Sequence, residues 1–335
     1  MALKRGVTIL QSASDILGTD NRELTIPSLH ETLQSVINNN TSTTDEFHML
    51  DVGAGSGETI DWFFAKKLEE NISMGKKKNI IHIIEPNPDL LKAYQQKLLE
   101  YKHLNQGIVY QGSVQNYYIY HENALAPPKL PASVDFINCM QMIYYLIDIT
   151  KQTIDPRKDI IDFITFLYRL LRPGGAIYIT FSDTRCGFFS IDCKFYEQII
   201  GNMNVPQRIS QMNKVLNELL FEGKILEILE SQIVDKNTCP KIFSNKISSG
   251  FYARSLADLA VISLLGGGIL RSNDEMLDFR RLDFAINELK TAAVTPVAIG
   301  EEKPYGLTRC IRGEENVWRS ERPLIISVIR KEHMG

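Results

Sequence analysis

The chain has 335 residues, 44% of them hydrophobic and 23% charged, with a formal net charge of -3. That length holds enough apolar material for one large domain, or for one domain with a cap. The charge balance excludes a general electrostatic attraction to nucleic acid or to an anionic membrane. Five cysteines, at positions 139, 186, 193, 239 and 310, form neither a disulfide framework nor a CxxC metal pattern, which suits a reducing, cytoplasmic compartment. Lys4 and Arg5 are followed by no apolar run, and the stretch from Leu256 to Leu270 is broken by Asp258 and three glycines. Neither a signal peptide nor a membrane span is therefore expected.

Residues 1–46 read as a polar, helical lead-in that forms an N-terminal lid. Leu29, Leu33 and Val36 recur at helical spacing before a polar linker from Asn38 to Asp45. A first strand through Met49, Leu50 and Val52 then ends in the run Asp51-Val-Gly53-Ala-Gly55-Ser-Gly57. Three glycines in such a turn let the backbone adopt positive φ and let a ligand approach where a Cβ would collide. Ile60, Phe63, Phe64 and Leu68 follow at helical spacing, so the unit reads as strand, tight loop and helix. Position 58 is Glu58 rather than the glycine of a dinucleotide fingerprint, and no Lys-Ser or Lys-Thr follows as in a P-loop. Asp-x-Gly-x-Gly-x-Gly resembles motif I of class I S-adenosylmethionine-dependent methyltransferases. The acidic strand end, Asp51, suits a cationic cofactor better than a pyrophosphate.

Ile80 to Glu85 is a nearly continuous apolar run ending in an acid, as expected of a strand buried on both faces of a parallel sheet. Glu85 is placed to accept from both ribose hydroxyls, the alternative being a helix N-cap or a surface acid before Pro86. Leu91, Tyr94 and Leu98 mark the next helix, and Gly107 to Gln111 a short third strand. The loop after it lies at the carboxyl edge of the sheet, where Ser113 or a nearby backbone amide is expected to read an adenine. The fourth strand, Val134 to Cys139, runs into Met140, Gln141, Tyr144 and Tyr145. Polar groups among such apolar neighbours must find partners or cost about 1–3 kcal/mol each; the tyrosines either line a pocket or pack with their hydroxyls in water. A helix carrying Ile160, Ile164 and Leu167 ends at Arg172-Pro-Gly-Gly175, and Ala176 to Phe181 is strand five. That order again resembles class I methyltransferases.

Phe188, Phe189, Phe195 and Tyr196 form an aromatic cluster that closes over a substrate or packs a helix. Ile225 to Leu229 reads as strand six, residues 236–315 as a helical cap inserted between the last two strands, and Pro323 to Ile329 as the final strand. The expected architecture is α/β: a doubly wound, seven-stranded, Rossmann-like methyltransferase sheet with that cap and the N-terminal lid. Its divisions are 1–46 lid, 47–235 cofactor-binding core, 236–315 substrate cap and 316–335 returning strand. His48 and His82 lie within strands and read as packed.

Asp135 to Tyr145, with Asp148 and Ile149 beyond, resembles the matching stretch of histamine N-methyltransferases, as does the plan of lid, core and cap. The resemblance implies S-adenosylmethionine as cofactor, with Asp51, Gly53, Gly55, Gly57, Glu85, Ser113, Val114 and Met140 around it. Gln141 would bind a small amine substrate, Tyr144 and Tyr145 would line its pocket, and Asp20 would stand where the family has a glutamate. Two departures bear on the acceptor: Leu90 replaces a family glutamine, and Arg319 to Arg322 replace a family asparagine. An arginine pointing inward would favour an acceptor with a carboxylate. The implied activity is N-methylation of a small amine, such as an imidazole related to histamine or histidine. O-methylation, amino-acid N-methylation and a non-catalytic methyltransferase-like binding protein stand as alternatives; neither a nucleic-acid nor a membrane partner is expected, and no metal site.

Overall fold

The computed structural model describes residues 21–39, 46–73, 78–114, 117, 133–146, 155–183, 186–232, 237–266, 275–298, 301–312 and 314–333. The strands are β1 (Glu46–Val52), β2 (Lys78–Ile84), β3 (Leu104–Tyr110), β4 (Val134–Met140), β5 (Leu171–Ser182), β6 (Thr238–Ala253), β7 (Thr308–Arg312) and β8 (Glu315–His333). They form one sheet in the order β3-β2-β1-β4-β5-β8-β6, with β7 paired to β8. The first five strands are mutually parallel, and β8 inserts antiparallel between β5 and β6. The seven expected strands are therefore joined by an eighth, the short β7.

Each face of the sheet carries its own apolar cluster. On one face lie α1 (Asn21–Asn39), α2 (Ala65–Ser73, entered through a π turn at Ile60–Phe64) and α3 (Pro88–Glu100). Leu29, Leu33, Phe64, Leu68 and Tyr94 from these elements are at most 1% exposed, each large apolar side chain being stabilised by roughly 1.5–3 kcal/mol. The described part of the expected lid is thus a core helix, because Leu29, Leu33 and Val36 make one stripe that packs on the sheet. The other face carries α4 (Pro156–Leu170), α5 (Gly187–Phe195), α6 (Asn204–Leu216) and α7 (Ile225–Gln232), together with α8 (Leu256–Gly266) and α9 (Glu275–Val294). Of the expected aromatic cluster, Phe189 is buried in this second core, and Phe195, also buried, packs edge-on against Phe284 of α9.

Strand six is not where the apolar run suggested. Ile225 to Leu229 belongs to α7, with Ile225 and Leu229 buried one helical turn apart, whereas the sheet takes Thr238–Ala253. This strand occupies the sheet edge and exposes Lys241, Phe243 and Asn245 on alternate positions. Half of such a strand faces water, so it lacks the continuous apolar signal of a central one. The insertion before β8 consequently begins after Ala253 rather than at 236, and it contains β7 as well as helices. Strand three similarly starts earlier than expected, at Leu104.

A register shift in the β2–β3 pairing falls at His82. Ile108 N–H donates to His82 Nδ1 at 3.0 Å, so Nε2 carries the proton toward His48 Nδ1, 3.1 Å away. A Cβ at Gly107 would stand 2.6 Å from His82 Nδ1; glycine is what lets the ring lie against β3.

Candidate active site

The carboxyl ends of β1, β2, β3 and β4 converge on a cavity of about 510 Å³. Gly53, Gly55, Ile84, Glu85, Leu90, Ser113, Val114, Gln141 and Met142 are among its walls. Gly53, Gly55 and Gly57 have φ of 65°, 59° and 76°, a region that costs an L-residue about 1 kcal/mol or more. The three differ in what surrounds them. A Cβ on Gly53 would meet Met142 at 2.6 Å and one on Gly57 would meet the Tyr94 ring at 2.9 Å, whereas at Gly55 nothing lies within 4 Å. Gly53 and Gly57 are therefore needed for packing, and Gly55 leaves open space over the loop.

Glu85 is 5% exposed, and backbone amides hold both its oxygens: Gly55 N–H on Oε2 and Asn87 N–H on Oε1, each at 2.9 Å. Burial pushes its carboxyl up from the ordinary range, while the two amide bonds oppose the shift. Glu85 does not cap the following helix. That role belongs to Asn87, whose Oδ1 accepts from Asp89 N–H at 2.9 Å and Leu90 N–H at 3.2 Å. The carboxylate is thus positioned by the loop, with lone pairs to spare for ligand hydroxyls.

Asp51 stands behind the loop and does not line the cavity. It is 2% exposed and accepts from Tyr94 OH at 2.8 Å and Asn138 Nδ2 at 2.9 Å. Burial raises its pKa to about 6. The described contacts make it a tie between β1, β4 and α3. Met140 closes β4 and packs against the core on the α1 face, while Met142, two residues on, reaches the cavity wall.

Gln141 holds a left-handed backbone, φ 54°, without being glycine. Such strain, of order 1–3 kcal/mol, persists only where the surroundings enforce it. Here Gln141 N–H donates to Thr180 O at 3.0 Å, and its side-chain Nε2 donates to Thr180 Oγ1 at 3.2 Å. Its Oε1 accepts from Arg322 Nη2, and from Ser182 Oγ at 3.4 Å. Arg322 Nε in turn donates to Ser182 Oγ at 2.7 Å, with the guanidinium 4.8 Å above the Phe251 ring. Arg319 turns the other way, toward Tyr252, Ser248 and Ser249. Both arginines lie within β8 rather than before it, because that strand begins at Glu315. Tyr144 and Tyr145 belong to a short 3-10 turn, Ile143–Leu146, directly after the cavity wall; their side chains, and the whole of Asp20, lie outside the described residues. Among the described residues no group of three His, Cys, Asp or Glu side chains could hold a metal ion.

No family model and no curated protein matches this chain. Its fold does match solved structures. Loganic acid methyltransferase, solved with S-adenosylhomocysteine, aligns over 93% of both chains with a TM-score of 0.57 and 10% identity. The plantazolicin methyltransferase BamL aligns over 92% of this chain and 86% of its own, at 13% identity and a TM-score of 0.39. The YcgJ protein of Bacillus subtilis aligns over 91% and 100%, at 14% identity and 0.43. The chain has a class I methyltransferase fold. That assignment rests on the loganic acid enzyme and on the strand order, in which an antiparallel strand inserts beside β5. In a sheet of this kind ligands bind at the carboxyl ends of the parallel strands where the order reverses, which is where the cavity opens.

Proposed function

We propose that the protein is an S-adenosylmethionine-dependent methyltransferase acting on a nitrogen of a small amine, with an imidazole as the leading acceptor class. The observation that carries the cofactor is Glu85. A carboxylate held by two amides at the end of β2 suits a pair of vicinal hydroxyls, and the open space over Gly55 suits the chain attached to that sugar. Ile84, Leu90 and Val114 offer apolar walls for a flat base, and Ser113 a polar edge.

The cofactor would supply a methyl on a sulfonium: its C–S bond breaks as the N–C bond forms, leaving a neutral thioether and a cationic nitrogen that loses its proton to water. Little acid–base machinery is required of the protein. Its residues bind, orient and exclude water, and alignment of this kind is worth up to about 7–11 kcal/mol. Gln141, fixed at both ends of its amide, would orient the acceptor, and Tyr144 and Tyr145 would shape the pocket beyond it. Asp20 would receive an ammonium. The imidazole preference rests on the resemblance of residues 135–149. A second reading, O-methylation of a carboxylic acid, is favoured by the named substrate of the loganic acid enzyme.

Calorimetric titration with S-adenosylhomocysteine tests the cofactor site. The wild type is expected to bind, and Glu85→Ala to lose at least tenfold in affinity, as follows from removing hydrogen bonds to a charged group at about 1.5–3 kcal/mol. Absence of binding by the wild type would sink the enzymatic reading.

A further inference from the structure

The guanidinium beside Gln141 is a cation held entirely by neutral partners. Ser182 Oγ, Gln141 Oε1 and the face of Phe251 surround it, and no carboxylate pairs with Arg322 among the described residues. The acids that adjoin Ser182 and Arg322 along the chain are committed elsewhere. Asp183, 4% exposed, pairs with Lys246, and Glu321, the neighbour of Arg322 along β8, accepts from Ser248 on the opposite side of the strand. The Lys246–Asp183 pair is neutral as a unit, and Glu321 faces the other side of the strand, so neither acid is hydrogen-bonded to the Arg322 guanidinium. A guanidinium has five N–H donors; the bonds to Ser182 and Gln141 use two, which leaves three.

Position makes this charge relevant to a ligand. Gln141 lines the cavity, and Arg322, which is not itself one of the cavity walls, reaches the Gln141 amide from β8, a strand that enters the sheet antiparallel and brings its early residues to the carboxyl edge. A merely structural arginine at such a site would be expected to meet an acid, since an unpaired charge that is half-buried is costly. Arg322 instead spends its fork on groups that a carboxylate could share or displace. Stacking on Phe251 holds the guanidinium plane in place, which lowers the ordering needed to bind a planar anion.

We infer that the methyl acceptor carries a carboxylate, received by Arg322 beside Gln141, so that the substrate class is a nitrogenous amino acid rather than the corresponding amine. The inference rests on the methyltransferase reading of the same site. It deepens that reading by separating histidine-like acceptors from histamine-like ones.

The test uses matched pairs that differ by one carboxylate: L-histidine and histamine, L-tyrosine and tyramine, L-tryptophan and tryptamine. Methyl transfer from labelled S-adenosylmethionine is followed for each, with product mass spectrometry locating the methyl. In at least one pair the wild type is expected to favour the acid in kcat/KM. Arg322→Gln is expected to reduce that preference by about 10- to 100-fold, chiefly through the acid's KM, as for loss of a charged hydrogen-bond partner. Arg322→Lys, which keeps the charge but not the fork, should retain part of it. Binding of S-adenosylhomocysteine to each variant reports an intact fold and tests the underlying reading separately. If the cofactor product binds and no acid is methylated, or the amine is preferred, the inference is overturned. It is also overturned if Arg322→Gln lowers acid and amine equally, since the arginine would then only prop Gln141.

Discussion

Two buried titratable residues beneath the candidate site pull the pH dependence of stability in opposite directions. Burial raises Asp51 to about 6 from 3.8, so between those values the folded chain holds a proton that the unfolded chain has released. Its contribution is present below about pH 4 and is lost as the pH rises through about 6. His82 is lowered by burial to about 4 from 6.5, so the unfolded chain takes a proton that the folded chain refuses. That contribution is present above about 6.5 and is lost as the pH falls through about 4. Asp51→Asn removes only the first. Measured by urea unfolding, the variant is expected to gain on the wild type between pH 4 and 6, by on the order of 3 kcal/mol at most. Parallel profiles would show that Asp51 is ionised in the folded protein across that range.

Among the elements, α9 is fastened to α5 by a buried ion pair. Arg281 Nε donates to Asp192 Oδ1 at 2.6 Å and Nη2 donates to Oδ2, with side-chain exposures of 2% and 0%. Burial pushes Asp192 up, and Arg281 opposes it. Arg281→Met would leave a carboxylate buried without its partner, a loss of about 3–5 kcal/mol. A paired Asp192→Leu and Arg281→Met replacement should recover most of it, because both charges are then gone. Chemical denaturation of the three variants checks this. The clamp matters to function because α9 belongs to the insertion between β6 and β8, and β8 carries Arg322. No spacing rule links positions 192 and 281; only the packing of two helices from distant segments brings them together.

For the whole molecule, the cavity is assembled from the carboxyl ends of four strands, so a ligand there should stabilise the entire sheet. At a hundredfold excess over its Kd, S-adenosylhomocysteine is expected to add about 2.7 kcal/mol to the unfolding free energy. Differential scanning fluorimetry should show a rise in Tm of several degrees, cut by half or more in Glu85→Ala at the same concentration. An unchanged Tm with wild-type protein would show that the ligand does not bind the folded chain at that concentration.

Features that depend on neighbours along the chain were legible before any fold was known. The glycine spacing, the acid closing a central apolar run, and the Arg172-Pro-Gly-Gly175 junction define a parallel α/β core, because each signal is written within about ten residues. Central strands were legible for the same reason, being apolar on both faces. The edge strand Thr238–Ala253 was not, since water covers half of it and its pattern is mostly polar. The packing of distant segments turns Asp51 inward to Tyr94 and Asn138, gives the helix cap to Asn87 rather than Glu85, and faces Arg322 rather than Arg319 toward Gln141. Those outcomes depend on where an antiparallel strand enters the sheet and on which of two adjacent faces a residue occupies. A shift of one residue in that register would exchange the two faces, and the register is set by pairing with β5 and β6, more than sixty residues away in the chain.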